Sequence, residues 1–355
     1  MKTIRIPVDK LRNGDMVAEE VFTEHTYVTL LVKGTIIDEM IKNRLIRLDI
    51  EDILISRSAT EVDTLEEIAG NSHIMKKHEF KEEYKDNVRD VKDLFKNIFN
   101  GNNIDFEQVT SISDDIFKNL DEIYIAVESI SEFKEFDEYT YIHSFNVALY
   151  SMLLAQWLEL SKADIEDLVK AAFLHDIGKA RIDDSILNKH DKFTYEEFAE
   201  MRNHPQYGYD ICKGMNGVSD RVKEAVLSHH ENIDGSGYPN GKKGDEISLF
   251  ARIIAVCDVY DAITSKKVYK DKVTPFEAFD EIMQAGYGKL DTGIILTFLN
   301  NIRNLYVGLN VKMNTGEVGE VVFVPTDKIS SPLIKIGEKF INLSENRYYS
   351  IEKIV

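Results

Sequence analysis

Cysteine is nearly absent: Cys212 and Cys257 are the only two in 355 residues. Two thiols cannot frame a disulfide-stapled domain, so a reducing, cytoplasmic compartment is the expectation. Basic residues are in deficit, 43 Lys and Arg against 62 Asp and Glu, for a net charge of −19. A chain this acidic lacks the basic face of a general binder of nucleic-acid polymers. Attraction of an anionic substrate then falls to metal ions and a few lysines. No apolar run approaches the roughly 20 residues of a membrane span. The segment Met1–Pro7 has no apolar signal core. What remains is 43% hydrophobic and 30% charged, the balance of a soluble protein with two or three domains and a large core.

Residues 1–60 read as a small β-rich unit, regulatory or packing in role. Strands are expected at 28–32 and 53–56, with a helix between, over 38–48. Residues 61–136 read as a charged helical connector. Tyr84, Val88, Val91, Phe95 and Ile98 form one apolar stripe, and Ile112, Ile116, Leu120, Ile123 and Val127 a second. Antiparallel helices or a dimerising, signalling stalk both produce that pattern, which leaves a homodimer and partner proteins open. After about Arg303 the pattern turns to alternation, with strands expected at 309–313, 318–324, 333–336, 340–343 and 348–351. Residues 308–355 are thus a second small β-rich unit.

The stretch between, 137–307, is apolar and helical and carries the chemistry. His143 shares a face with Val147, Tyr150 and Leu154; alone it would be an ordinary core histidine. Ser161 and Asp164 form a capping signature for a helix that runs to His175-Asp176, with Gly178 as its stop. Thr194 and Glu197 open another helix, which Pro205 closes just after His204. Ser219 caps the next, on which Val222, Val226, His229 and His230 share a face. A further helix carries Ile254, Asp258 and Asp261 inward. Ionised Asp is costly to bury, and a core collecting this many His and Asp groups needs a compensating cation. His and carboxylate donors without cysteine suit borderline or hard metals.

Two runs within this stretch, His175-Asp176-Ile177-Gly178-Lys179 and His229-His230-Glu231-Asn232-Ile233-Asp234-Gly235-Ser236-Gly237-Tyr238-Pro239, resemble the HD-GYP phosphodiesterases. These are a branch of the HD metal-dependent phosphohydrolases that hydrolyse cyclic di-GMP. The resemblance implies a mainly α HD-type helical bundle. It implies metal ligands at His143, His175, Asp176, His204, His229, His230 and Asp258. Two divalent ions, iron or manganese, would be bridged by Asp176 and a water or hydroxide. Some members hold a third metal through a glutamate one turn before the first histidine. Here Tyr139 stands at that position, which favours two ions. Lys179 is the expected partner of a phosphate or leaving oxygen, so Asp176 and Lys179 are the catalytic pair. The family's Arg-Pro-Tyr-Arg is replaced around Lys267 and Lys270, which keep charge without a bidentate fork. With Gly237 and Tyr238 they would hold the dinucleotide. Glu231, Asp234 and Asp261 are candidates to orient the ligand histidines. The implied activity is hydrolysis of cyclic di-GMP to linear pGpG, GMP or both. The alternatives are another, hybrid cyclic dinucleotide, or a silent receptor.

Overall fold

The computed structural model describes residues 2–12, 14–19, 21–22, 29–37, 41–42, 45, 50, 52–57, 84, 86–94, 96–97, 109–111, 113, 139–187, 189, 191–264 and 274–355. They divide into two compact units, Met1–Glu79 and Phe80–Val355. No helix among them is long and apolar enough to cross a membrane.

The first unit is built from β1 (Lys2–Pro7), β2 (Met16–Val17), β3 (Val21–Phe22), β4 (Thr29–Leu31) and β5 (Asp52–Arg57). β5 is the middle of an antiparallel sheet ordered β1-β5-β2, and β3 pairs with β4. The register sets Ile4 against Ile55 and Ile6 against Ile53. Ile6, Val17, Ile37, Leu45, Ile53 and Ile55 close a small core. The strands expected at 28–32 and 53–56 are β4 and β5. β1 was not anticipated, although Ile4 and Ile6 alternate with Thr3 and Arg5 as an antiparallel strand requires. Of the helix expected at 38–48, residues 41, 42 and 45 are described, and they are helical.

The second unit is a helical bundle with a sheet on the same apolar core. Its helices are α1 (Tyr139–Trp157), α2 (Lys162–Leu174), α3 (Asp184–Leu187), α4 (Tyr195–Met201), α5 (His204–Gly214), α6 (Asp220–Ser228), α7 (Leu249–Thr264), α8 (Pro275–Gly286) and α9 (Thr292–Ile302). α1 and α7 have almost no polar face: Val147, Ala148, Leu153, Ile253, Ile254 and Val256 are fully buried. A helix apolar all round belongs at the centre of a bundle. Ser161, Thr194 and Ser219 cap α2, α4 and α6 through their side-chain oxygens, as their spacing predicts. Tyr84, Val88, Val91 and Leu94 are buried in this core. The first connector stripe therefore packs on its own chain over these positions. Phe95, Ile98 and the second stripe lie outside the described residues.

Two helix ends differ from expectation. Pro205 does not close a helix; it sits in the first turn of α5, which His204 opens. Proline suits that turn because its missing N–H would be unpaired there anyway. Gly178 is not a left-handed stop. It lies in a 3-10 turn, Ile177–Arg181, pressed against α5. A Cβ on it would meet His204 O at 1.9 Å and Gly208 N at 2.4 Å. Only glycine lets the two backbones approach this closely.

The C-terminal sheet is antiparallel, ordered β10-β6-β7-β8-β9, from β6 (Asn310–Met313), β7 (Val318–Phe323), β8 (Leu333–Ile336), β9 (Lys339–Asn342) and β10 (Ile351–Ile354). Val311, Met313, Val321 and Ile334 turn their side chains into the bundle core. The last strand begins at Ile351, later than the expected 348–351. Asn314 holds the preceding turn by accepting from Ser350 N and donating to Tyr348 O.

Candidate metal centre

The site is assembled from helix ends. His175 follows α2, His204 opens α5, His229 and His230 follow α6, and His143 and Asp258 lie within α1 and α7. Helix ends leave carbonyls unpaired, and the histidines use them. Nδ1 of His175 donates to Ala172 O at 2.6 Å, His204 to Met201 O at 2.8 Å, and His229 to Val226 O at 2.7 Å. Each bond spans three residues and fixes the tautomer, so Nε2 of each ring carries the lone pair. His143 is held differently. Its Nδ1 donates to Asp261 Oδ2 at 2.8 Å, and Nε2 lies 3.0 Å from Asp258 Oδ1.

Two groups of potential metal ligands result: Asp176, His204, His229 and His230, and His143, His175 and Asp258. Within each group the ligand atoms lie within 4.8 Å of one another. Asp176 faces both. Oδ1 lies 3.3 Å from His204 Nε2, and Oδ2 lies 3.4 Å from His175 Nε2 and 3.7 Å from His143 Nε2. Lys179 Nζ is 2.5 Å from Oδ2.

The donor set fits cations better than it fits itself. His204 and His229 have both committed Nδ1 to donation, yet their Nε2 atoms face each other at 3.2 Å. Two lone pairs repel at that separation, and a shared cation relieves them. His175 Nε2 and Asp176 Oδ1 are buried with no hydrogen-bond partner. Such orphaned groups are rare and costly unless they bind something.

Charge follows the same division. Burial pushes His204 down to about 3 and His230 down to about 4, so both are neutral donors at neutral pH. Burial also lowers His143, but hydrogen bonds to Asp258 and Asp261 outweigh it and raise the ring to about 10. Asp258 is desolvated, yet His143 and the neighbouring rings hold it well below the usual carboxylate range. Burial opposes ionisation of Asp176 too; Lys179, His175 and His204 overcome it and keep the carboxyl depressed.

Beside the ligands opens a cavity of about 380 Å³, lined among others by Arg202, His230, Ser236, Tyr238, Asp258 and Lys289. The loop after His230 forms one wall. Tyr238 N donates to His230 O, and the Tyr238 ring lies 4.8 Å from the His230 ring. A Cβ on Gly237 would meet Asn232 N at 2.3 Å and His230 O at 2.5 Å, so this position excludes any side chain.

Glu231 faces the loop rather than the histidines, accepting from Asn240 N at 2.7 Å and Lys242 N at 3.1 Å. Asp234 accepts from Ser236 N at 2.8 Å and steadies a surface turn. Asp261 does reach a ligand, His143. Lys267 and Lys270 lie outside the described residues, as does the side chain of Tyr139. Two cations of the cavity were not anticipated. Arg202 lies over the Tyr238 ring at 4.6 Å, and Lys289 also lines the cavity. Neither sits in a motif. Arg202 is two residues before His204, and that nearness was its one signal.

Residues 132–294 match the HD domain family. A cyclic di-GMP phosphodiesterase of Pseudomonas aeruginosa is 36% identical over 246 residues, spanning 69% of this chain and 59% of that protein. The chain belongs to the HD-GYP branch of the HD domain family. A probable cyclic di-GMP phosphodiesterase of Vibrio cholerae is 37% identical over 212 residues, 56% of this chain and 48% of that one. A 3'3'-cGAMP-specific phosphodiesterase of the same organism is 40% identical over 142 residues, 40% of this chain and 27% of that one. This HD-GYP chain thus spans about half the length, or less, of these relatives. In fold it resembles an HDG"Y"P protein from Bdellovibrio bacteriovorus, with a TM-score of 0.51 at 18% identity over 85% of this chain and 100% of the other.

Proposed function

We propose that the chain is a metal-dependent phosphodiesterase that hydrolyses cyclic di-GMP, giving linear pGpG, GMP or both. The observation that carries this reading is the position of Asp176, which turns toward two ligand groups at once in a cluster that borders an open cavity. The relatives' names give the substrate class. Two divalent ions, iron or manganese, held by Asp176, His204, His229 and His230 and by His143, His175 and Asp258, would supply Lewis acidity that lowers the pKa of water and takes up phosphate charge.

The protein's own groups do the rest. The Nδ1 anchors keep each imidazole turned inward before substrate arrives, so no reorientation is needed during reaction. Lys179, at the mouth of the ligand cluster, is the group that donates to a phosphate or leaving oxygen. Arg202 and Tyr238 offer a cation and an aromatic face to a base or phosphate, and Lys289 adds a second positive charge to the lining. By the family resemblance, Lys267 and Lys270 are further candidates to hold the dinucleotide.

A second reading, hydrolysis of a hybrid cyclic dinucleotide, draws on those two lysines in place of arginines and on the cGAMP-specific relative. A panel of cyclic dinucleotides, with product chromatography on anaerobically metallated protein, separates the two. Turnover of none of them would leave the silent receptor. A homodimer through the connector helices belongs to the same reading; light scattering at micromolar protein tests it. The cytoplasm, where two thiols stay reduced, is the setting this reading assigns.

A further inference from the structure

We propose that Tyr84, which lies outside the HD domain match at 132–294, is a positioning residue for the metal centre, acting through Asn146 and Asp261 on His143. This rests on the metal-dependent reading above. Tyr84 Oη donates to Asn146 Oδ1 at 2.8 Å. Asn146 Nδ2 donates to Asp261 Oδ1 at 3.0 Å, and Asp261 Oδ2 accepts from His143 Nδ1 at 2.8 Å. Four side chains from three separated segments form one continuous line, and all are buried: Tyr84 2%, Asn146 0%, Asp261 0% and His143 3% exposed.

The direction of each bond constrains the next. Ionised Asp261 only accepts, so the ring nitrogen and the amide facing it must both donate. Asn146 can donate to Asp261 only with its oxygen turned the other way, and there the Tyr84 hydroxyl meets it. A flipped amide would set its oxygen against Asp261 Oδ1, so the carboxylate selects the amide orientation. Tyr84 Oη donates to the amide oxygen that this orientation presents and holds the Asn146 side chain in place against Asp261. Asp261 in turn fixes the His143 tautomer and aims Nε2 at the ligand cluster. The Tyr84 ring is held edge-on to Phe145, with centroids 4.9 Å apart at 79°. The hydroxyl thus has a fixed position independent of the bonds it makes. Buried networks of this kind are costly when broken at one member, because the remaining groups cannot turn to water.

The test is Mn²⁺ binding to chelator-stripped full-length protein, followed by the free-ion signal in electron paramagnetic resonance. Tyr84→Phe keeps the ring and removes the hydroxyl. It should raise the Mn²⁺ Kd about tenfold, the lower end of what losing an outer partner of a metal ligand costs. Asp261→Asn should weaken binding by at least as much. Adding Tyr84→Phe to Asp261→Asn should change little further, because the line is already broken. Val91→Ala, in the same buried apolar stripe but with a side chain that cannot hydrogen-bond, should lower Tm and leave the Kd unchanged. Wild-type affinity in Tyr84→Phe, or full additivity in the double variant, overturns the proposal. Should Tyr84→Phe fail to fold, the Asp261→Asn and Val91→Ala pair decides: an equal effect on Kd makes the contact structural and overturns it. Wild-type protein that binds no Mn²⁺, iron or zinc removes the metal reading and this inference with it.

Discussion

Lys179 and Asp176 form an ion pair, Nζ to Oδ2 2.5 Å apart, in which the carboxylate is buried and the ammonium is 23% exposed. The pair therefore has an inner, ligand-facing half and an outer, partly solvent-exposed half, and the two substitutions should separate. Asp176→Ala removes a carboxylate whose two oxygens lie toward both ligand groups; metal content by elemental analysis should collapse together with activity. Lys179→Ala should keep its metals and lose turnover by about 10²-fold, the scale of one charge-stabilising donor. Full activity in Lys179→Ala, with a full metal complement in Asp176→Ala, would falsify the assignment of both.

Gly178 offers a test of how the ligands are brought together. The turn carrying the HD pair and the start of α5 touch through Gly178 and Gly208, backbone to backbone. Adding one methyl at Gly178 forces it into His204 O at 1.9 Å, and backbone cannot step aside as a side-chain tip can. Gly178→Ala should cost about 3 kcal/mol or more, at the upper end of overpacking penalties. Chemical denaturation should register the loss. Metal affinity should fall too, because His175 and His204 are pushed apart. A wild-type denaturation midpoint would show that the two backbones are not in contact.

Metal uptake should release a proton. His143 is raised to about 10, so in metal-free protein at pH 7 its ring is protonated, whereas His204 and His230, lowered to about 3 and 4, are not. A cation must displace the His143 proton and meets none at the other two. Affinity for Mn²⁺ should therefore climb about tenfold per pH unit between pH 6.5 and 9, and titrations in buffers of unlike ionisation heat should report about one proton released. The metal-free fold follows the opposite sign. A folded pKa above the unfolded value means that His143 contributes most below pH 6.5 and loses its contribution as pH rises through about 10. Uptake without proton release would mean that His143 is not a ligand or is neutral beforehand.

How much of this was legible in the sequence depends on the range of each interaction. The caps at Ser161, Thr194 and Ser219 are bonds across three residues, and spacing alone reveals them. The candidate ligand histidines were legible through the two motif runs and the resemblance they carry; the bonds that His175, His204 and His229 make to a carbonyl three residues back are as local as the caps, whereas His143 is held by the distant Asp261. Pro205 was misread because a proline that ends one helix and a proline that begins the next look alike until the helix before it stops, here at Met201. Gly178 looked like a cap because its actual constraint, the backbone of α5, is brought to it only by the fold. The line from Tyr84 to His143 was invisible, since its bonds join residues 62, 115 and 118 positions apart. Tyr84 read as one more member of an apolar stripe, which its ring indeed is.

Arg202 and Tyr238 give the prediction that bears on substrate choice. The guanidinium lies 4.6 Å from the centre of the Tyr238 ring and is exposed, which locates a cation on the solvent side of the cavity lining. A contact on that side holds substrate and transition state alike, so its loss should raise KM and leave kcat nearly alone. Arg202→Ala should raise KM for cyclic di-GMP about tenfold, within the range for a cation stacked on an aromatic face. Arg202→Lys should recover part of this, since it keeps the charge but loses the planar fork. Lys289→Ala, also in the cavity lining, should give a smaller rise that shrinks at high salt, because an exposed ammonium acts through a screened field. Steady-state kinetics at two ionic strengths would read all three. A fall in kcat with unchanged KM in Arg202→Ala would move that guanidinium from the solvent side to the reacting phosphate, and the cavity would then have to be read with its base-binding end elsewhere.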